Sequence, residues 1–180
     1  MNLLRLLLLP LLVVLVTAPA RGDEPEKSTA DEKRFEVDTV KDVAYNDAPD
    51  ADADKQTLDL YLPKGQKDFP VLFFVHGGTW KSGDRKQYPR LGEAFASRGL
   101  GTVVINYRLS PKVQHPAHIQ DVAKAFAWTC ANIGKYGGDA DQIFCMGHSA
   151  GGHLVSLLAT DESYLKAEKR SFAEDRKSVV

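Results

Sequence analysis

Gly147-His148-Ser149-Ala150-Gly151 is the stretch on which the reading of this 180-residue chain turns. It follows a short apolar run at 143–146 and precedes 150–159, where Leu154, Leu157 and Leu158 recur at helical spacing. A serine on so sharp a strand-to-helix turn is held in a strained conformation that lifts its hydroxyl clear of a sheet. Gly147 and Gly151 are needed because a Cβ on either would collide with the neighbouring strand and helix. Three fixed positions, each met by chance about 7% of the time, match somewhere in such a chain about once in twenty. The strand before and the helix after make the pattern more specific than that. A plain glycine turn is the alternative, and it leaves the flanking elements unexplained.

Upstream of this turn, strands and helices alternate. Residues 71–75 are a continuous apolar run, as expected of a strand buried on both faces. Residues 88–98 carry Leu91, Ala94 and Phe95 at helical spacing and stop before Gly99, residues 102–107 are β-branched, and 117–133 is amphipathic. Two short strands precede these, at 37–45 and 57–62. In the second, Leu58, Leu60 and Leu62 alternate with Asp59 and Tyr61, the period of a half-buried strand. The order predicts an α/β fold, a doubly wound and mostly parallel sheet with helices on both faces. Ligands of such sheets bind beyond the carboxyl ends of the strands. Between the first two strands, Asp50, Asp52 and Asp54 imitate a calcium loop. Lys55 stands where that loop needs Gly, and Tyr61 where it needs Glu, so an acidic turn is expected.

The second chemical motif, His76-Gly77-Gly78-Thr79-Trp80, directly follows strand 71–75. Acyl transfer needs N–H donors preset on a developing oxyanion, and a Gly-Gly loop lets bare backbone approach a substrate. Gly78 and Thr79 are the expected donors, joined by Ala150 at a helix N-terminus, with His76 and Gly77 supporting the loop. A simple glycine turn ending a strand is again the alternative. Trp80 is read as lining an acyl or leaving-group pocket, or else as packing. Lys81, Arg85, Lys86 and Arg90 read as a solvated basic face, with binding of an anionic substrate as the alternative, and Arg108 and Asp121 as partners fixing the 106–121 segment.

These motifs, with Asn106-Tyr107-Arg108-Leu109-Ser110-Pro111, His115-Pro116, Asp121 and Gly152-His153, resemble α/β-hydrolase esterases over about residues 37–160. The resemblance is to the feruloyl/acetyl-xylan esterase-like carboxylesterase and kynurenine formamidase-like branch, whose loop reads HGGxW. It implies Ser149 as nucleophile and an acyl-enzyme, completed by an Asp or Glu after a seventh strand and a His after an eighth. No strand-helix pattern follows residue 160, and 161–177 is highly charged. The sheet is therefore expected to stop after about its fifth strand and helix, with the triad Asp/Glu and His not in this chain. His153 lies one helical turn after Ser149, His148 leaves the turn on the other side of the strand, and His115 and His118 fall in the loop entering helix 117–133. Each of these, like His76, is read as a core or loop residue. The function implied is hydrolysis of a small acyl ester, free or polysaccharide-linked, weak or absent in this chain alone. An aryl formamidase and a non-catalytic, ligand- or partner-binding remnant are the alternatives. The chemistry implies no cofactor and no metal.

Residues 1–20 have the form of a secretory signal: Arg5, an aliphatic run at 6–16 interrupted by Pro10, and Ala18-Pro19-Ala20 for cleavage, or alternatively cleavage after Gly22. The run is short for a membrane span, although an uncleaved anchor is the alternative. The expectation is a secreted or periplasmic protein without stable membrane insertion after cleavage. Residues 21–36 read as a flexible leader and 37–180 as the N-terminal part of the hydrolase domain. With 23 Lys+Arg against 24 Asp+Glu, the net charge of −1 argues against a nucleic-acid partner. A 43% hydrophobic content argues against disorder. Cys130 and Cys145 permit a disulfide in an oxidising compartment, but their apolar settings favour buried thiols.

Overall fold

The computed structural model describes residues 34–170, which lie within the second of two units, Met1–Asp31 and Glu32–Val180. The signal, its cleavage sites, most of the leader and the last ten residues fall outside the described residues. The elements in chain order are β1 (Val37–Ala44), β2 (Thr57–Pro63), β3 (Phe69–Val75), α1 (Pro89–Ala96), β4 (Gly101–Ile105), α2 (Ala117–Asn132), β5 (Gly138–Gly147), α3 (Ala150–Thr160) and α4 (Ser163–Ala167). The strands form one sheet in the order β1-β2-β4-β3-β5. β1 and β2 pair antiparallel, as do β2 and β4, while β3 runs parallel to both β4 and β5.

Alternation along β3 builds both layers. Val71, Phe73 and Val75 enter the larger core with Phe126 of α2 and Leu154 of α3, while Phe74 faces Tyr61, Val104 and Ala96 of α1. The Phe73 and Phe126 rings meet edge-on at 5.4 Å. Helices thus cover both faces, and the fold is the doubly wound α/β arrangement that the order of elements predicts.

Four differences from the sequence reading have physical causes. β2 is buried on both faces, because α1 lies on the side expected to be solvated, with Gly92 so close that a Cβ there would fall 2.3 Å from the Tyr61 ring. Asp59, on that strand, is buried as well, and it is matched by Arg85. Far from lying on a solvated basic face, Arg85 is 1% exposed; its Nε donates to Asp59 Oδ1 at 2.9 Å, and it also pairs with Asp42. β5 begins at Gly138, five residues before its apolar run, after an irregularity in register between Phe69 and Val71. Its polar first half carries no apolar signal to read. Finally, the charged segment after residue 160 contains the short helix α4, whose Leu165 is fully buried.

Smaller corrections concern the edges. His118 lies in the first turn of α2, not in the loop before it. The end of the expected leader is pinned: Phe35 N–H donates to Ser97 O, and Lys64 N–H to Glu36 O, both at 2.8 Å. Cys130 and Cys145 are both thiols, as the favoured reading expects, Cys130 buried and Cys145 half-buried; desolvation pushes the Cys145 thiol up to about 12. Among the described residues, no helix is long and apolar enough to cross a membrane.

Removing one partner of a buried ion pair strands the other charge, which costs about 3–5 kcal/mol. Arg85→Met is therefore expected to lower unfolding stability in urea by about that amount, and Arg85→Met combined with Asp59→Leu to recover most of it. A loss below about 1 kcal/mol in the single variant would show that the pair is not a structural lock.

Candidate active site

Ser149 sits between β5 and α3 with φ 51° and ψ −116°, a region that L-residues enter only under constraint. The constraint is steric. A Cβ on Gly147 would lie 2.3 Å from the Gly151 carbonyl carbon, and one on Gly151 would lie 2.1 Å from Val75 O. His148 N–H donates to Val75 O at 3.1 Å and Gly151 N–H to His148 O at 2.9 Å, so the turn is tied to the end of β3. That strand also launches the glycine loop. A Cβ on Gly77 would stand 3.2 Å from Ser149 Cβ and 2.7 Å from His148 O. The fold thus brings together the two motifs singled out in the sequence, and Ser149 itself remains exposed.

The loop after Gly77 wraps around one carbonyl. Gly78 O accepts from Lys81 N and Ser82 N at 3.0 Å, from Thr79 Oγ1 at 2.8 Å and from Ser82 Oγ at 3.1 Å. Gly78, Thr79 and Trp80 all have positive φ, at 120°, 52° and 59°. A Cβ on Gly78 would fall 2.2 Å from Ser82 O, so glycine is required there. Among the described residues, the N–H groups of Gly78 and Thr79 donate to no acceptor. His76, fully buried, donates Nδ1–H to Gly77 O at 2.7 Å and stacks on Tyr107 at 4.5 Å. Tyr107 OH in turn donates to His76 O at 3.1 Å. Burial lowers the His76 pKa, so the ring is neutral and shapes the loop.

Residues 58–179 match the BD-FAE family. The chain belongs to that family. Among curated proteins it is 41% identical over 129 residues to the esterase LipC of Mycobacterium tuberculosis, covering 68% of this chain and 30% of LipC. It is 50% identical over 91 residues to the probable carboxylic ester hydrolase LipM of the same organism, covering 50% of this chain and 21% of LipM. Esterase B of Lactobacillus rhamnosis superimposes with a TM-score of 0.66 at 32% identity, over 79% of this chain and 46% of that one. The chain is thus an α/β-hydrolase of an esterase family, and it spans about a third or less of these curated relatives and about half of that solved structure.

The rest of this BD-FAE site is a set of anchors, several of which sequence reasoning missed. Asp84, where the loop ends, accepts from Lys55 Nζ at 2.8 Å, Asn106 Nδ2 at 3.0 Å and Lys86 N at 3.0 Å. Burial pushes the Asp84 carboxyl up, but those donors outweigh it and hold its pKa at about 2. Asn106 Oδ1 accepts Arg85 N–H at 2.7 Å, and Tyr45 OH donates to Asn106 O at 2.9 Å. Arg108 and Asp121 pair as the sequence suggests, through Nε–Oδ2 at 2.8 Å and Nη2–Oδ1 at 2.7 Å, and Gln56 Nε2 adds a donor to Asp121 at 2.7 Å. The acidic turn folds on itself, with Asp52 Oδ1 accepting from the N–H groups of Asp54 and Lys55.

Among the described residues, no histidine ring hydrogen-bonds the Ser149 hydroxyl. The His153 ring stands perpendicular to Trp80 at 5.4 Å, His118 Nε2 lies 3.2 Å from Ser110 Oγ, and His115 is exposed. Among the described residues, no group of three or more His, Cys, Asp or Glu is placed to hold a metal.

Two outcomes are expected. Gly151→Ala, which drives a methyl into Val75 O, costs about 1–3 kcal/mol or more, whereas Gly152→Ala, with only a 3.2 Å approach to Gly147 O, stays within about 1 kcal/mol. Chemical denaturation of both variants checks the ranking. Asp84 titrates below its ordinary value of 3.8, so the stability it contributes is complete above that value and lost as pH falls through about 2. Stability measured from pH 6 to pH 2 is expected to fall more steeply at the acid end in the parent than in Asp84→Asn; parallel curves would remove Asp84 as an anchor.

Proposed function

We propose that this chain carries the nucleophile-bearing part of a serine carboxylic-ester hydrolase. The observation that carries the reading is the forced Ser149 conformation set directly against the Gly77 loop. Ser149 Oγ attacks the carbonyl carbon of a small acyl ester, free or linked to a polysaccharide. The carbonyl electrons move to oxygen, where the N–H groups of Gly78, Thr79 and Ala150 meet the charge, Ala150 from the positive end of the α3 dipole. Collapse expels the alkoxide and leaves an acyl group on Ser149, which water then removes.

The proton on Oγ needs a base. In this reading a His, oriented by an Asp or Glu, comes from sequence outside this chain. What supports it is that no described histidine ring hydrogen-bonds the Ser149 hydroxyl and that the match covers only 46% of the solved esterase relative. A serine without a base stays a weak nucleophile, so the chain alone is slow. Residues 1–20 act as an export signal in the same reading, consistent with Arg5, the aliphatic run and Ala18-Pro19-Ala20.

The test is reaction with a fluorophosphonate, read by intact mass and peptide mapping, beside p-nitrophenyl acetate hydrolysis. Slow modification of Ser149 is expected, none in Ser149→Ala, and a residual rate about 10³–10⁴ over water. Hydrolysis unaffected by Ser149→Ala, with no modified serine, overturns the nucleophile. A rate matching complete esterases overturns the inference that the base lies elsewhere.

A further inference from the structure

A cavity of about 320 Å³ opens between the Thr79–Trp80 turn, the 110–118 segment and the first turn of α3. Small-molecule pockets begin at about this size. Its position ties it to the nucleophile: His153 N–H donates to Ser149 O at 3.1 Å, and Thr79 follows Gly78 in the glycine loop. A carbonyl held beside Ser149 therefore carries its substituents within one helical turn of the opening. A larger groove, between β1 and α1, includes Val37, Thr39, Arg90 and Glu93 and shares no residue with this site.

The walls define what fits. Most of the lining is apolar, with Leu154 buried and the Trp80 ring set edge-on to His153. Across from them, Ser110 Oγ donates to Val113 O at 2.9 Å and sits 3.2 Å from His118 Nε2. Those polar atoms are engaged with each other, and burial lowers the His118 pKa; the cation of the lining, Lys81, is exposed to solvent. Trp80 is kept at φ 59°, a strained position for a bulky residue, and its carbonyl is fastened by Ser110 N–H at 2.8 Å. The backbone is thus committed to holding this ring at the cavity wall.

We infer that the cavity receives an uncharged, compact apolar substituent of the ester, an aromatic ring or a short alkyl chain, and that Trp80 and His153 set how long that substituent can be. The inference rests on the serine-esterase reading and makes Trp80 and His153 specificity-determining residues. The substituent belongs either to the acyl group or to the alcohol, and the experiment distinguishes the two.

Two sets of p-nitrophenyl phosphonates serve as probes. In one, the alkyl group on phosphorus is methyl, butyl or decyl; in the other, a methylphosphonate carries a butoxy or decyloxy group. In each, Ser149 Oγ forms a bond to phosphorus, p-nitrophenolate leaves, and the Oγ proton passes to solvent. Modification by the butyl reagent at least tenfold faster than by the decyl reagent is expected in one set, with Trp80→Ala and His153→Ala each reducing that preference at least threefold. The set that responds identifies the acyl or the alcohol side. A second readout is independent of Ser149 chemistry. The chain has two tryptophans, and phenylacetamide or benzyl alcohol is expected to shift the Trp80 indole N–H signal saturably in NMR spectra while leaving that of Trp128 in place. A saturable Trp80 shift without phosphonate modification supports the cavity and overturns the serine reading. Modification of Ser149 at rates indifferent to both substituents and both variants, with a static Trp80 signal, overturns the cavity and leaves the serine reading standing.

Discussion

One backbone-to-backbone approach governs this site: the helix carrying Gly151 lies so near the end of β3 that no side chain fits between them. Because Val75 O also accepts the His148 N–H, β3 and β5 finish in register. Everything chemical grows from that junction. The residue after Val75 begins the glycine loop, and the residue before Ala150 is Ser149. Had either strand ended one residue earlier, the serine would face a different part of the loop, since successive strand residues point to opposite faces. The unfavourable dihedral angles of Ser149 follow from the same contact, and close packing around Gly147 and Gly151 supplies the free energy that offsets them.

Beyond this junction, the loops are held by charge. Asp84 and Arg85 at the exit of the glycine loop, Asn106 after β4 and Asp121 in α2 each make two or more polar contacts to segments distant in sequence. Buried ions contribute little net stability compared with apolar packing, so their value here is geometric. Arg85 joins the exit of the glycine loop to β1 and β2, and Asp84 joins it to the acidic turn and to the end of β4. A loop with three consecutive positive φ values has few favourable local interactions, and anchoring at both ends keeps it in one conformation. The polar network and the glycine contacts thus act on the same short segment from opposite sides.

This division explains what was legible in the sequence. The turn at Ser149, the His76-Gly77-Gly78 loop and the alternation of strands with helices are local patterns, and local sterics dictates them. Arg85 was misread because its neighbours Lys81, Lys86 and Arg90 are cations, while the residue that decides its fate, Asp59, lies on β2. Asp59 looked like the polar half of an alternating strand for the same reason: the covering helix α1 is not part of that strand's pattern. Lys55 and Gln56 gave no signal, since they belong to an acidic turn that attracts attention for its carboxylates. The first half of β5 was invisible because Gly138 is required by close packing against Val71 and Ile133, and the polar Asp139, Asp141 and Gln142 leave no apolar period to count.

The direction from which Ser149 is served follows from the same geometry. On one flank it meets Gly77, and beyond that lie Trp80 and the 110–118 segment, all engaged with one another. On the other flank lies the outer side of β5, which among the described residues pairs only with β3. Phe144 and Met146 lie on that strand, 36% and 44% exposed, large hydrophobic side chains outside both core clusters. An uncovered strand edge with exposed apolar side chains is a surface that proteins ordinarily pair or cover. On the proposed mechanism, a base can reach the exposed Ser149 hydroxyl from this flank. An element paired with the edge of β5 would therefore lie on the same side as such a base, beside Ser149.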